Sequence, residues 1–163
     1  MTAQTAAALD IRVVEEFVYR EARLADEHDF DGWEALWTDD GLYWCPAGAD
    51  DIDPMRQMSV IHDNRNRIST RIKQLKTGRR HSQNPLSRLR RMLTNIELLG
   101  TEGGDQVVAA NFILVESRER GVEIWAGRYT YRLRSVDGQI LLAYKKIALV
   151  NNAEALPTVS FLI

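Results

Sequence analysis

Cys45 is the only cysteine in 163 residues. This excludes an internal disulfide and any metal site built from several thiolates, and makes a reducing, cytoplasmic location the expectation. Histidine is equally scarce. His28, His62 and His81 are all there are, and no two fall at the i, i+4 spacing that puts two ligands on one helical face. No apolar run approaches the roughly 20 residues needed to cross a bilayer. Met1 to Asp10 shows no basic stretch followed by an apolar one, so it does not read as a secretory leader. The net charge of −2 argues against a nucleic-acid-binding domain. Serine-hydrolase and Walker patterns are absent, and Gly103-Gly104 reads as a turn rather than a phosphate cradle.

What is present is the composition of a globular protein, 45% hydrophobic and 27% charged, long enough to bury a core. With no repeat, low-complexity tract or linker, residues 1–163 read as one domain. The charge is unevenly placed. From Met1 to Asp53 there are fourteen acidic residues against three basic ones. From Arg56 to Arg91 eleven basic residues face only Asp63. That segment carries no Phe, Tyr or Trp on which a base would stack, so its electrostatic partner reads as protein: the chain's own acidic third or another subunit.

The first half has helical periodicity. Leu9, Val13, Phe17 and Leu24, with Val14, Val18, Ala22 and Ala25 beside them, form an apolar stripe. A short second helix is expected over Asp31 to Trp37, capped by Asp29 or Asp31 and ended by Gly41. Leu42 to Pro46 reads as a short strand, Ala47 to Pro54 as an acidic loop, and Arg56 to Ile61 as another strand. A third helix spans Asn64 to Lys76, stopped at Gly78. From Leu89 the period becomes two. Arg91 to Leu99, Gln106 to Ser117, Val122 to Arg134 and Gln139 to Val150 read as four long strands, the last two joined by a strong hairpin signal at Asp137-Gly138. Such a meander must bury one face under the helices, giving an α+β cone: a strongly bent antiparallel sheet wrapped around a long helix. Val107 to Val115 is apolar on both alternating sets, which implies a second covered surface and self-association, as a trimer.

The cone has two readings. On one, its interior is a pocket with acid–base groups at the mouth, for which Tyr19, Asp26, His28, His62, His81 and Tyr129 are candidates and Trp44, with Trp33 and Tyr43, a lining aromatic. A stand-alone isomerase or dehydratase would follow. Alternatively the aromatics simply fill the interior. Cys45, among Tyr43, Trp44 and Pro46, reads as a buried inert thiol.

Several segments in order are similar to one family. Phe17-Val18-Tyr19-Arg20-Glu21-Ala22-Arg23-Leu24-Ala25-Asp26, then Trp33, Leu36, Asp39-Asp40 and Tyr43-Trp44-Cys45-Pro46, resemble the opening of the small (beta) subunit of aromatic-ring-hydroxylating dioxygenases. So do Leu93-Thr94-Asn95-Ile96, Ala126-Gly127-Arg128, Leu133-Arg134, Lys145 to Asn151, and the tail from Leu156-Pro157 to Phe161-Leu162-Ile163. Ala25 departs from the larger aliphatic usual before the aspartate. The resemblance implies a cystatin-like, nuclear-transport-factor-like fold and a large (alpha) partner subunit, in an assembly of three alpha and three beta chains. The Rieske 2Fe-2S cluster and mononuclear Fe(II) would reside in alpha, fed from NAD(P)H through a reductase, with no cofactor, metal ligand or catalytic residue in this chain and no activity from it alone. On this reading Arg79, Arg80, Arg88, Arg90 and Arg91 are candidates for the subunit interface.

Overall fold

A computed structural model describes residues 8–163, so most of the segment read as carrying no leader lies outside it. Helix α1, Ile11–Asp26, starts where the Asp10 side chain accepts a hydrogen bond from the Arg12 N–H at 2.8 Å, satisfying one free donor of the first turn. Val14, Phe17, Val18, Ala22, Leu24 and Ala25 form its buried stripe. Of the two capping candidates, Asp29 caps α2, Phe30–Glu34, by accepting from Gly32 N–H at 2.9 Å. This helix ends before Trp37, which opens strand β1, Trp37–Pro46. Gly41 therefore ends no helix. It lies within β1 because the Trp37 ring covers it, leaving a Cβ only 2.7 Å from the ring.

Strand β2, Ser59–Asn64, begins three residues later than expected, since Arg56 and Gln57 donate back to the Asp53 carbonyl in a turn. Asn64 caps α3, Arg65–Lys76, which buries Ile68, Ile72 and Leu75, and Gly78 follows in the left-handed region at φ 64°. After a 3-10 turn at His81–Gln83 come β3 (Arg88–Glu102), β4 (Asp105–Arg118), β5 (Gly121–Val136) and β6 (Gln139–Leu149).

The six strands form one sheet in the order β2-β1-β6-β5-β4-β3. The expected all-antiparallel sheet is corrected here: β1 runs parallel to β6, with Leu42, Tyr43 and Trp44 beside Tyr144, Lys145 and Lys146. The meander leaves β6 one free edge, and β1 fills it in the same direction. Register shifts in β3 between Thr94 and Glu97 and between Leu98 and Gly100 bend the edge strand. No helix among the described residues is long and apolar enough to cross a membrane.

Helices and sheet close on a core in which Trp33, Trp37 and Tyr43 meet edge-on at centroid distances of 5.3–5.8 Å. Phe112 stacks on Tyr129 at 3.9 Å. Gly127, opposite Leu149 in the β5–β6 ladder, leaves no room for a side chain: a Cβ would overlap the Ala148 carbonyl oxygen. Gly127→Ala is expected to cost about 3 kcal/mol, because the atoms in the way are the β6 backbone at Ala148 and Leu149, which must move. Urea denaturation checks this, and a loss under about 1 kcal/mol would contradict the close approach.

Candidate functional site

The cone's interior is polar at its centre, where buried charged side chains pair with one another. Glu21, on the buried stripe of α1, accepts from Trp33 Nε1 at 2.7 Å and from Lys145 Nζ at 2.9 Å through the same oxygen. Lys145 also donates to the Ile163 carbonyl at 3.0 Å and lies 4.2 Å from the centre of the Tyr129 ring. At the end of α1, Asp26 accepts from the Arg91 side chain at 2.8 Å and from its backbone N–H at 2.9 Å. Arg91 in turn donates to the Leu162 carbonyl at 2.6 Å. Tyr43 donates to the Ile163 carbonyl and accepts from the Ile163 N–H. The tail from Ser160 to Ile163 is thus buried and clasped from three sides.

Burial dominates the ionisation of these groups. It lowers the Lys145 ammonium to about 8, with Glu21 opposing and Arg91 reinforcing the shift. It raises Tyr43, Tyr129 and Tyr131 well above the usual tyrosine range and pushes the Cys45 thiol up to about 12. A thiol so buried is a poor nucleophile.

The residues read as pocket candidates do not converge. Asp26 and Tyr129 are inside, tied into the network. Tyr19 is half exposed on the outside of α1. His28 donates from Nε2 to the Ser87 carbonyl at 2.7 Å. Trp44 and His62 pair across β1 and β2 on the face opposite Tyr43, with Lys146 Nζ 4.8 Å from the Trp44 ring. His81 sits exposed on the 3-10 turn. One open depression of about 520 Å³ touches Asp26 and His28, whereas Glu21, Tyr129 and Lys145 are fully buried. The sequence reading missed Glu21 and Lys145, although each carried a signal: a carboxylate on an apolar helical stripe, and a lysine in phase with Ile147 and Leu149.

Arg91 must be removed from the surface candidates. Strand alternation sends it inward with Leu89, while Arg88 and Arg90 point outward. The rest of the basic segment divides the same way. Arg65 pairs with Glu34 at 2.8 Å, Lys76 with Asp31 at 2.7 Å, and Arg71 with Asp63 at 2.6 Å. Arg79, Arg80, Arg88 and Arg90 have no carboxylate partner among the described residues. One terminal nitrogen of Arg80 is enclosed without an acceptor. Beside Arg88 and Arg90, the outer face of β3–β5 exposes Met92, Ile113, Val122 and Ile124. Among the described residues, no three His, Cys, Asp or Glu side chains gather as metal ligands.

Comparison with known proteins bears on this arrangement directly. The small oxygenase component of the p-cumate 2,3-dioxygenase system of Pseudomonas putida is 31% identical over 140 residues, covering 82% of this chain and 75% of that protein. The beta subunit of toluate 1,2-dioxygenase from the same species is 28% identical over 149 residues, covering 88% and 92%. Among solved structures, the beta subunit of benzoate 1,2-dioxygenase from Burkholderia mallei shares the fold with a TM-score of 0.77 at 24% identity, over 99% of this chain and 100% of that one. A naphthalene 1,2-dioxygenase structure aligns with the same TM-score at 15% identity, over 96% and 89%. The family model for the ring hydroxylating beta subunit matches residues 20–154, which run from the helix bearing Glu21 and Asp26 to the end of the sheet bearing Arg91 and Lys145, and the chain belongs to that family.

Proposed function

We propose that this chain is the structural, oligomer-forming small subunit of a cytoplasmic, multicomponent aromatic-ring-hydroxylating dioxygenase, and that it supports a catalytic large subunit in the breakdown of aromatic compounds. The observation that carries this reading is the family match over residues 20–154, and the pairing of the cone's buried charges with one another supports it. A stand-alone isomerase or dehydratase would need a cavity reaching Tyr129 or Lys145. That space is taken by the Glu21–Lys145 and Asp26–Arg91 pairs and by the tail.

The redox centres belong in this reading to the large subunit, which would attack the ring with electrons drawn from NAD(P)H through a reductase. The side chains of this chain fit neither centre. A Rieske cluster requires two cysteines and two histidines, and a mononuclear iron site two histidines and a carboxylate. Cys45 is buried and single, and His28 lies in the turn between α1 and α2, His62 on β2 and His81 on the 3-10 turn. The purified chain is expected to be colourless and iron-free, with iron recovered only with the large subunit. Stoichiometric iron in the isolated chain would overturn the assignment.

Three small chains would associate with three large ones, the small chains forming a trimer by themselves and the unpaired arginines serving subunit contacts. Arg79→Glu with Arg80→Glu is expected to weaken co-purification with the large subunit while leaving the product of the surviving complex unchanged. The loss should lie between about 1 kcal/mol, for exposed contacts, and several, where the contact is desolvated. A salt series with product analysis tests this. A changed product with intact assembly would place this chain at the substrate and contradict a purely supporting role.

A further inference from the structure

An open depression of about 660 Å³ lies where the loop after α3 meets the start of β3 and the turn between β4 and β5. Its wall draws on separate stretches of chain: His81 and Asn84 from the 3-10 turn and the residue after it, Arg88 from the start of β3, and Arg118 and Arg120 from the end of β4 and the turn beyond. Arg88 is paired with Ser117 in the β3–β4 ladder, so Arg118 and Arg120 follow close to the same rung.

The three arginines are not equivalent. Arg118 is fixed and neutralised, donating to Glu116 at 2.7 Å and to the Ser160 hydroxyl at 3.1 Å. Beneath it Glu116, Gln83, Ser87 and Ser160 are buried and joined: Ser87 Oγ donates to Glu116 at 2.7 Å, and the Gln83 amide to Ser87 and Ser160 at 2.9 and 3.0 Å. A satisfied buried network of this kind holds its members to one geometry, which gives the depression a rigid floor. Arg88 and Arg120 are exposed and have no carboxylate partner among the described residues. Glu119 is the one acid on the wall, so Arg88 and Arg120 leave a single net positive charge there. Leu86, 40% exposed, and Pro85 give the wall an apolar side. Small-molecule sites have volumes of about 300–1,000 Å³ and combine apolar walls with a few placed polar groups.

We infer that this depression is a binding site for a small organic monocarboxylate, its carboxylate held by Arg88 and Arg120 and its apolar body resting on Pro85 and Leu86. A guanidinium fork matches a carboxylate through two parallel hydrogen bonds. One net positive charge suits a monoanion, whereas a phosphate dianion would meet Glu119 and leave the apolar side bare. The site belongs to this chain alone and does not depend on the supporting role proposed above. It draws Arg88 out of the arginines left for subunit contacts, while Arg79, Arg80 and Arg90 lie off its wall.

The experiment titrates the purified full chain with benzoate and follows the backbone amide chemical shifts by NMR. Saturable binding is expected, with the shifts concentrated at Leu86, Arg88 and Arg120. Benzamide, which lacks the charge, and acetate, which lacks the apolar body, should each bind at least about tenfold more weakly, and so should inorganic phosphate. Arg88→Gln and Arg120→Gln should each weaken benzoate binding at least about tenfold, because each removes one charged donor. Both side chains are exposed, and an otherwise unchanged amide spectrum verifies that the variants are folded. Acetate or phosphate binding as tightly as benzoate would reduce the site to charge attraction and overturn the inference. Shifts that do not saturate, or a benzoate affinity untouched by both variants, would overturn it as well. If the wild-type chain binds no benzoate and the same variants lose co-purification with the large subunit, the arginines belong to that subunit's contact and the site is refuted, with the proposed function left standing.

Discussion

Asp26→Ala is expected to cost about 3–5 kcal/mol, a large part of the stability of a domain this size. The Arg91 side chain has no solvent exposure, and Asp26 is the carboxylate that neutralises it. Truncation leaves that charge with only the Leu162 carbonyl at 2.6 Å and the Tyr129 hydroxyl at 3.5 Å, and it also strips the Arg91 backbone N–H of its acceptor. Replacing both partners, Asp26→Leu with Arg91→Met, should lie much nearer wild type, because matched apolar groups remove the two charges together. Urea denaturation of the three proteins measures both effects. A loss under about 1 kcal/mol for Asp26→Ala would mean that water reaches the pair. Since Arg91 also holds the tail, the single variant should release residues near Leu162 to limited proteolysis before the sheet unfolds.

Alkaline pH should expose the interior even more sharply. Stability rises with pH wherever the unfolded chain binds more protons than the folded one. Lys145 does this between about 8, its value in the fold, and 10.5, its ordinary value, so its contribution grows through that window. Cys45 and three buried tyrosines act in the opposite sense. The fold keeps them protonated, while the unfolded chain loses the thiol proton near 9.0 and the phenol protons near 10.0. Each tyrosine then withdraws about 1.4 kcal/mol per pH unit above its ordinary value. The expected profile is a shallow maximum near pH 9 and a steep fall above pH 10. Tyr131→Phe separates the contributions, since its buried hydroxyl has no partner. The variant should be as stable as wild type at neutral pH and lose about 1.4 kcal/mol less per pH unit above pH 10. A flat profile from pH 8 to pH 11 would refute the buried network.

Much of this molecule was legible along the chain. Asp10 and Asn64 announce their helices because a cap and its free N–H groups lie within three residues, and Asp137-Gly138 announces its hairpin because two residues set the turn. The outward rank of Arg88 and Arg90 also follows from alternation, once the strand is known to begin at Arg88. Reading its start at Arg91 hid that residue's place on the inward rank. The parallel seat of β1 against β6 was not legible, because the pattern along a strand records which face is buried and not which neighbour it takes. The composition and order of the segments determined an α+β cone without the residues for a metal centre. Tertiary closure alone decided what fills it: Glu21 meets Lys145 across 124 positions, Asp26 meets Arg91 across 65, and the tail is drawn in between. A buried charge announces its need for a partner locally, but the partner is chosen by whichever strand the fold carries past it, and that choice is what tied the cone's polar groups to one another and to the tail.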